Sequence, residues 1–168
     1  MEVVVEDSQI FIMIHVENDK CLPVKSTSGS AAFDLSAYIQ DIIVIHPGET
    51  KLIPTGLKMI LPEDYCAKIL SRSGLALKKK VFALNAPGLI DSDYRDMVGV
   101  IIHNTGKEDF HINPFDRIAQ MTIEKVEPVK FQLLSDNQWN DHLLSERDNN
   151  RVGGFGSTGV QNKKARTD

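Results

Sequence analysis

The chain has 168 residues, 42% of them hydrophobic and 25% charged, which is enough to bury one core and too short for two comfortable domains. Its formal net charge of −4 excludes general binding along a nucleic acid backbone, which needs a broad basic surface, so any anion site has to be built locally. The N-terminus, with Glu2, Glu6 and Asp7, is acidic where a secretory signal is basic, and the apolar run at residues 10–14 is far too short to span a bilayer. The expectation is a soluble cytoplasmic protein with no nucleic acid or membrane partner. The basic tail at residues 162–166 reads as solubilising, with a nuclear address as the rival reading. Cys21 and Cys66 form no C-x-x-C pair and read as buried filler in a reducing compartment.

In chain order, residues 9–16 are rich in Ile, Phe and Val and read as a strand. Similar runs recur at 42–45, 57–61, 66–70, 97–103 and 118–126. The intervening stretches 46–49, 61–64, 104–107 and 113–116 carry the Pro, Gly and Asx chemistry of tight turns. Short strands separated by turns point to an all-β, antiparallel sandwich or barrel rather than alternating β and α units. Residues 137–147 allow a short helix around Trp139, Leu143 and Leu144, and from Ser145 onward charge and glycine replace apolar periodicity. The organisation expected is a β core over 1–134, a connecting segment over 135–152 and a glycine-rich arm over 153–168.

Four clusters carry chemistry. Ala31 to Ala37 sets Asp34 in an apolar neighbourhood, where a carboxylate has to be paired, hydrogen-bonded or near a metal; an ion pair with an arginine is one account and a metal the other. Arg72, Ser73 and Gly74 join a guanidinium, a hydroxyl and a glycine N–H in three residues, either a compact anion site or a strand-end turn with a solvated arginine. Asn85 to Arg95 holds Asp91 and Asp93 beside Tyr94, in a segment that reads as a hairpin with the strand at 97–103. The two acids share a face if the chain is extended there and separate if it turns, and a carboxylate in this position can serve as a general base for water. Gly154 to Gly159 matches G-x-G-x-x-G, but only nine residues follow it, so a dinucleotide-binding βαβ unit does not fit. Glycine N–H groups, Ser157, Thr158 and Phe155 suit a phosphate tail and a flat base, or else form a flexible tail. The five histidines lack H-x-H and H-E-x-x-H spacing, and neither G-x-S-x-G nor a Walker A sequence occurs.

Taken in order, the clusters resemble the homotrimeric dUTPase family across most of the chain. Ala32-Phe33-Asp34-Leu35 looks like the first family motif, Arg72-Ser73-Gly74-Leu75-Ala76 the second, and Gly88 through Arg95 the third. Asp116-Arg117-Ile118-Ala119-Gln120-Met121 is similar to the fourth and Gly153 through Gly159 to the fifth. The resemblance implies a jelly-roll homotrimer that hydrolyses dUTP to dUMP and pyrophosphate, limiting uracil in DNA and supplying dUMP for thymidylate. Its three active sites would lie at subunit boundaries, each closed by an arm from a neighbouring chain. It implies Asp91 as the base that activates water against the α-phosphorus, and Mg²⁺ held through water by Asp34. Substrate contacts carried over are Arg72, Ser73, Gly74, Asn85, Gly88, Leu89, Ile90, Asp91, Tyr94, Gly99, Gln120, Arg151, Phe155, Gly156, Ser157 and Thr158. Asn85 and the backbone near Gly99 would read uracil, Tyr94 would pack under the deoxyribose and exclude a 2′-hydroxyl, and Phe155 would stack on the base.

The chain departs from the family pattern at several positions. Asp96 and Phe115 stand where glycine is common, Lys78-Lys79-Lys80 replaces a Lys-x-Gly turn, and Arg151 lies one residue closer to the arm glycines. Rival readings are a related dCTP deaminase and a non-catalytic member that binds nucleotide and switches a protein partner; the intact arm and the Ile90 to Tyr94 segment favour dUTPase over the deaminase.

Overall fold

The computed structural model describes residues 9–145, in two units that divide at Pro128 and Val129. The first unit carries eleven strands and a short helix among its described residues. In order these are β1 (Met13–Val16), a 3-10 turn (Asp19–Cys21), β2 (Phe33–Ser36), β3 (Ile43–Ile45), β4 (Thr50–Pro54), β5 (Leu57–Ile60), β6 (Tyr65–Leu70), α1 (Ser73–Lys79), β7 (Val81–Ala83), β8 (Gly88–Ile90), β9 (Gly99–Asn104), β10 (Phe110–Ile112) and β11 (Arg117–Lys125). The second unit contains α2 (Asp136–Ser145), close to the helix expected at 137–147.

Every strand pair among the described residues is antiparallel, in the arrangement β2-β11-β6-β8, β4-β9-β7, β1-β5 and β3-β10. Early strands pair with late ones, as in β2 with β11 and β4 with β9, so the jelly-roll expectation is borne out. One core serves all four sheets. It gathers Leu35, Ile69, Ala119 and Met121 from the four-stranded sheet, Ile53, Val81, Val100 and Ile102 from the three-stranded one, and Ile45, Ile112, Leu57 and Met59 from the pairs. In β9 every second residue is buried, the period-two pattern of a strand with one face on the core. Cys21 and Cys66 are buried and free, and burial, with Glu17 adding to it, pushes the Cys21 thiol up.

The turns follow their sequence signals. Glu49 N–H donates to the His46 carbonyl with Gly48 at φ +79°, and Asp116 N–H donates to the Asn113 carbonyl. Among the described residues, the only non-glycines with positive φ are Lys80 at 59° and Phe115 at 66°, both at positions where the resemblance leads one to expect glycine. Asp96 is not one of them, so its replacement of glycine brings no left-handed strain.

Two local expectations change. Arg72-Ser73-Gly74 is a helix start rather than a plain strand-end turn, because seven residues from Ser73 wind into α1 and Ala76 N–H donates to the Arg72 carbonyl. The segment from Asn85 is not a ladder hairpin with β9. β8 pairs with β6 while β9 pairs with β4 and β7, so residues 91–98 cross from one sheet to another.

Candidate active site

The first group of site residues is assembled on β11, the strand next to both β2 and β6. In register, Gln120 lies opposite Asp34 on one side and Leu70 on the other. Directly opposed residues project to the same face, so Gln120 and Asp34 share the face turned away from buried Ala119 and Met121. The Gln120 side-chain amide donates to the Ser71 carbonyl at 2.9 Å, which ties β11 to the start of the Arg72 segment.

Asp34 is the charged centre of this group and is only 8% exposed. Its Oδ1 lies 3.1 Å from Arg72 Nε, and its Oδ2 accepts from Arg117 Nη1 at 2.9 Å and from Ser26 Oγ at 3.0 Å. The Arg72 guanidinium is held a second time by donating from Nη1 to the Arg117 carbonyl at 2.6 Å. The ion-pair account of Asp34 therefore holds, with two arginines instead of one. Arg72 is the N-cap of α1 without a side-chain cap, and the helix opens on Ser73 and Gly74, whose N–H groups have no acceptor within the helix. A side chain added at Gly74 would meet nothing within 4 Å, so packing does not require this glycine and the space beside it is open to an approaching group.

The second group lies on β8 and the crossing segment. Among the described residues β8 is an edge strand, so alternate backbone N–H and carbonyl groups of residues 88–90 face away from β6 without a strand partner there. A Cβ at Gly88 would come within 3.0 Å of Asn85 Nδ2, which places the Asn85 amide directly over the strand. At Gly99 a Cβ would come within 2.7 Å of Leu52 Cδ1. Tyr94 N–H donates to the Asp91 carbonyl at 3.2 Å. The chain therefore turns between Asp91 and Asp93, the alternative in which the two acids separate. Tyr94 Oη donates to the Met97 carbonyl at 3.0 Å, and Arg95 Nη1 donates to the carbonyls of Ser92 and Tyr94, so the turn is braced by its own side chains. Leu89 and Asp91 are exposed and Ile90 is half-buried.

The two groups sit towards opposite ends of β6. Ile90 pairs with Ala67, whereas Arg72 lies two residues beyond Leu70 at the other end. The three extended steps from Ala67 to Leu70, at about 3.3 Å each, separate the levels of Ile90 and the end of β6 by roughly 10 Å, with Asp91 and Arg72 beyond the two ends. Arg151, Phe155, Gly156, Ser157 and Thr158 lie outside the described residues.

The dUTPase family model matches residues 18–159. The chain belongs to the dUTPase family. It is 46% identical over 145 residues to the deoxyuridine 5′-triphosphate nucleotidohydrolase of Orientia tsutsugamushi (strain Boryong), covering 86% of this chain and 93% of that one. The enzyme of the same name from Hydrogenobaculum sp. (strain Y04AAS1) is 44% identical over 149 residues, covering 87% and 95%. Among solved structures, a point mutant of the Staphylococcus bacteriophage 80alpha dUTPase, with dUpNHpp, superposes with a TM-score of 0.73 at 21% identity over 89% of this chain and 99% of that one. A mutant dUTPase of phage phi11 of S. aureus gives 0.67 at 20% identity over 75% and 97%. These structures share the fold of this dUTPase-family chain.

The residues that sequence reasoning left out of the site are Arg117 and Ser26, both on Asp34. Arg117 stands in the fourth motif beside Ile118. The signal that would have selected it is the buried acid at Asp34, which demands cationic partners without saying where in the chain they lie.

Proposed function

We propose that this chain hydrolyses dUTP to dUMP and pyrophosphate, with water activated by Asp91 attacking the α-phosphorus, Mg²⁺ as cofactor, and active sites shared between the subunits of a homotrimer. The observation that carries the reading is the Arg72–Asp34–Arg117–Gln120 cluster beside the open start of α1. Two guanidinium groups against one carboxylate leave a local positive charge in a chain that is acidic as a whole, and that charge suits a polyphosphate. The edge of β8, unpaired among the described residues, supports uracil as the base, because fixed backbone donors and acceptors can match uracil and mismatch cytosine, whose amino group puts a donor where uracil has an acceptor. Tyr94, held at Met97, is the candidate floor for the deoxyribose.

The residues fit a metal carried by the substrate. Three donors already occupy Asp34, and a carboxylate has about four acceptor positions, so one remains for the water of a hydrated cation. Among the described residues, no group of three or more His, Cys, Asp or Glu side chains could hold an ion alone. When bound, Mg²⁺ would neutralise charge on the phosphate chain and on the departing pyrophosphate. Arg72, Ser73 and Gln120 would align the chain for in-line attack, and Asp91 would take the proton from the attacking water. No covalent intermediate is required.

The placement of Asp91 and Arg72 beyond opposite ends of the β6–β8 ladder favours a site drawing them from different chains. Complementation tests this. Asp91→Asn and Arg72→Ala proteins should each be inactive on dUTP, and mixed trimers formed by refolding equal amounts should regain about a quarter of the wild-type sites. Mixtures that stay inactive would mean that both residues act within one chain.

A further inference from the structure

We propose that Arg117 is a positioning residue for phosphate binding: with Ser26, it keeps the Asp34 carboxylate turned so that Arg72 is held through its Nε and one terminal nitrogen, leaving the rest of the guanidinium free for the substrate. The proposal rests on the nucleotide reading above and deepens it. The backbone places Arg117 for this work. The register of β11 against β2 shifts between Arg117 and Ala119, so that Arg117 faces Ser36 while Ala119 faces Leu35. Without that bulge, alternation would put Arg117 on the core side together with Ala119 and Met121. With it, Ile118 and Ala119 are both buried in succession and Arg117 emerges on the face of Gln120 and Asp34.

The hydrogen bonds give the reason for two arginines. A guanidinium has five N–H donors. Arg72 uses Nε on Asp34 Oδ1 and one Nη1 hydrogen on the Arg117 carbonyl, leaving three unengaged among the described residues. Arg117 and Ser26 occupy Asp34 Oδ2. Take Arg117 away, and both carboxylate oxygens can accept the Arg72 fork bidentately, the geometry that arginine and carboxylate prefer, which would turn its terminal nitrogens inward. Asp116, the nearest acid in sequence, accepts from the Asn113 N–H and side-chain amide and does not compete for Arg117 in this network. Holding Arg72 in place before binding also removes an ordering cost that a free arginine would add to substrate binding.

The experiment compares binding of the non-hydrolysable analogue dUpNHpp and of dUMP by calorimetry, each with Mg²⁺ and in EDTA, for wild type, Arg117→Ala, Arg117→Lys, Ser26→Ala and Asp34→Asn. In EDTA, Arg117→Ala and Asp34→Asn should weaken dUpNHpp about tenfold, with dUMP within about twofold of wild type. Arg117→Lys should recover part of the loss, and Ser26→Ala, in an exposed loop, should weaken the analogue about threefold even if Arg117→Ala does not fold. Variants equal to wild type in EDTA and weaker only with Mg²⁺ would overturn the proposal, since Asp34 would then act through the cation alone. Parallel loss of dUMP would overturn it in favour of a general structural role. Wild-type protein that binds neither nucleotide would overturn the nucleotide reading and this proposal with it, a result distinct from the other two.

Discussion

Lys80 ends α1 in the left-handed region at φ 59°, and its carbonyl accepts from both the N–H and the hydroxyl of Thr105 at 2.9 and 2.8 Å. A residue with a Cβ in this conformation loses about 1–2 kcal/mol against its relaxed state, and glycine does not. Lys80→Gly relieves that strain, but the glycine also gains about 0.5–1 kcal/mol of unfolded-chain freedom, so the net stabilisation should be about 0.5–1 kcal/mol. The bonds from Thr105 go to a backbone oxygen and survive the change. For a chain of this size the gain corresponds to about 1–4 °C in Tm, measured at fixed protein concentration so that assembly does not shift the comparison. Lys80→Ala is the control, since it removes the same charge and keeps the strain. Phe115→Gly relieves φ 66° but removes a ring 4.9 Å from Lys20 Nζ, so it should gain less than Lys80→Gly. Thermal unfolding in which Lys80→Gly is no more stable than Lys80→Ala would refute the account of this turn.

Asn104 is fully buried, donates to the Ile45 and Glu108 carbonyls and accepts from Gly106 N–H, all at 2.8 Å. Asn104→Leu removes all three bonds and should destabilise by about 3 kcal/mol or more in urea unfolding; a loss under about 1 kcal/mol would show that these groups find other partners. The Glu49 carboxyl lies below its ordinary value because it accepts from the His46 N–H at 2.8 Å and has Lys51 Nζ at 3.1 Å. A lowered carboxyl favours the fold above the unfolded pKa, and the contribution disappears as pH falls through the lowered one, so Glu49→Gln should flatten the decline of Tm with acid from 4.5 downward. An identical acid limb in the variant would contradict this. Tyr94→Ala should admit UTP and narrow the dUTP-to-UTP ratio of kcat/KM about tenfold or more, whereas an unchanged ratio would remove Tyr94 from sugar selection.

Much of the architecture is legible in the sequence because turn chemistry and alternation act locally. The stretches 42–45, 57–61, 66–70, 97–103 and 118–126 contain β3, β5, β6, β9 and β11 within a residue or two. Three-residue strands such as β7, β8 and β10 are too short to show a period, and their existence depends on partners far along the chain. α1 escapes a sequence reading because Arg-Ser-Gly favours a turn and seven residues give little helical periodicity. At the site, Asp34 declares itself as an acid among apolar neighbours, but Arg117 lies 83 positions away and reaches it only because a bulge reverses its face. Local pattern carries no information about such a partner. The crossing of residues 91–98 between sheets is hidden for the same reason.

The most direct test of the account is pyrophosphate release from dUTP, dCTP, dTTP and UTP with Mg²⁺, comparing the wild-type protein with Asp91→Asn. Release from dUTP alone, falling at least about a hundredfold in the variant while dUpNHpp still binds, is the outcome the account predicts. Wild-type protein that binds dUpNHpp yet releases no pyrophosphate, or an Asp91→Asn protein as fast as wild type, would contradict it.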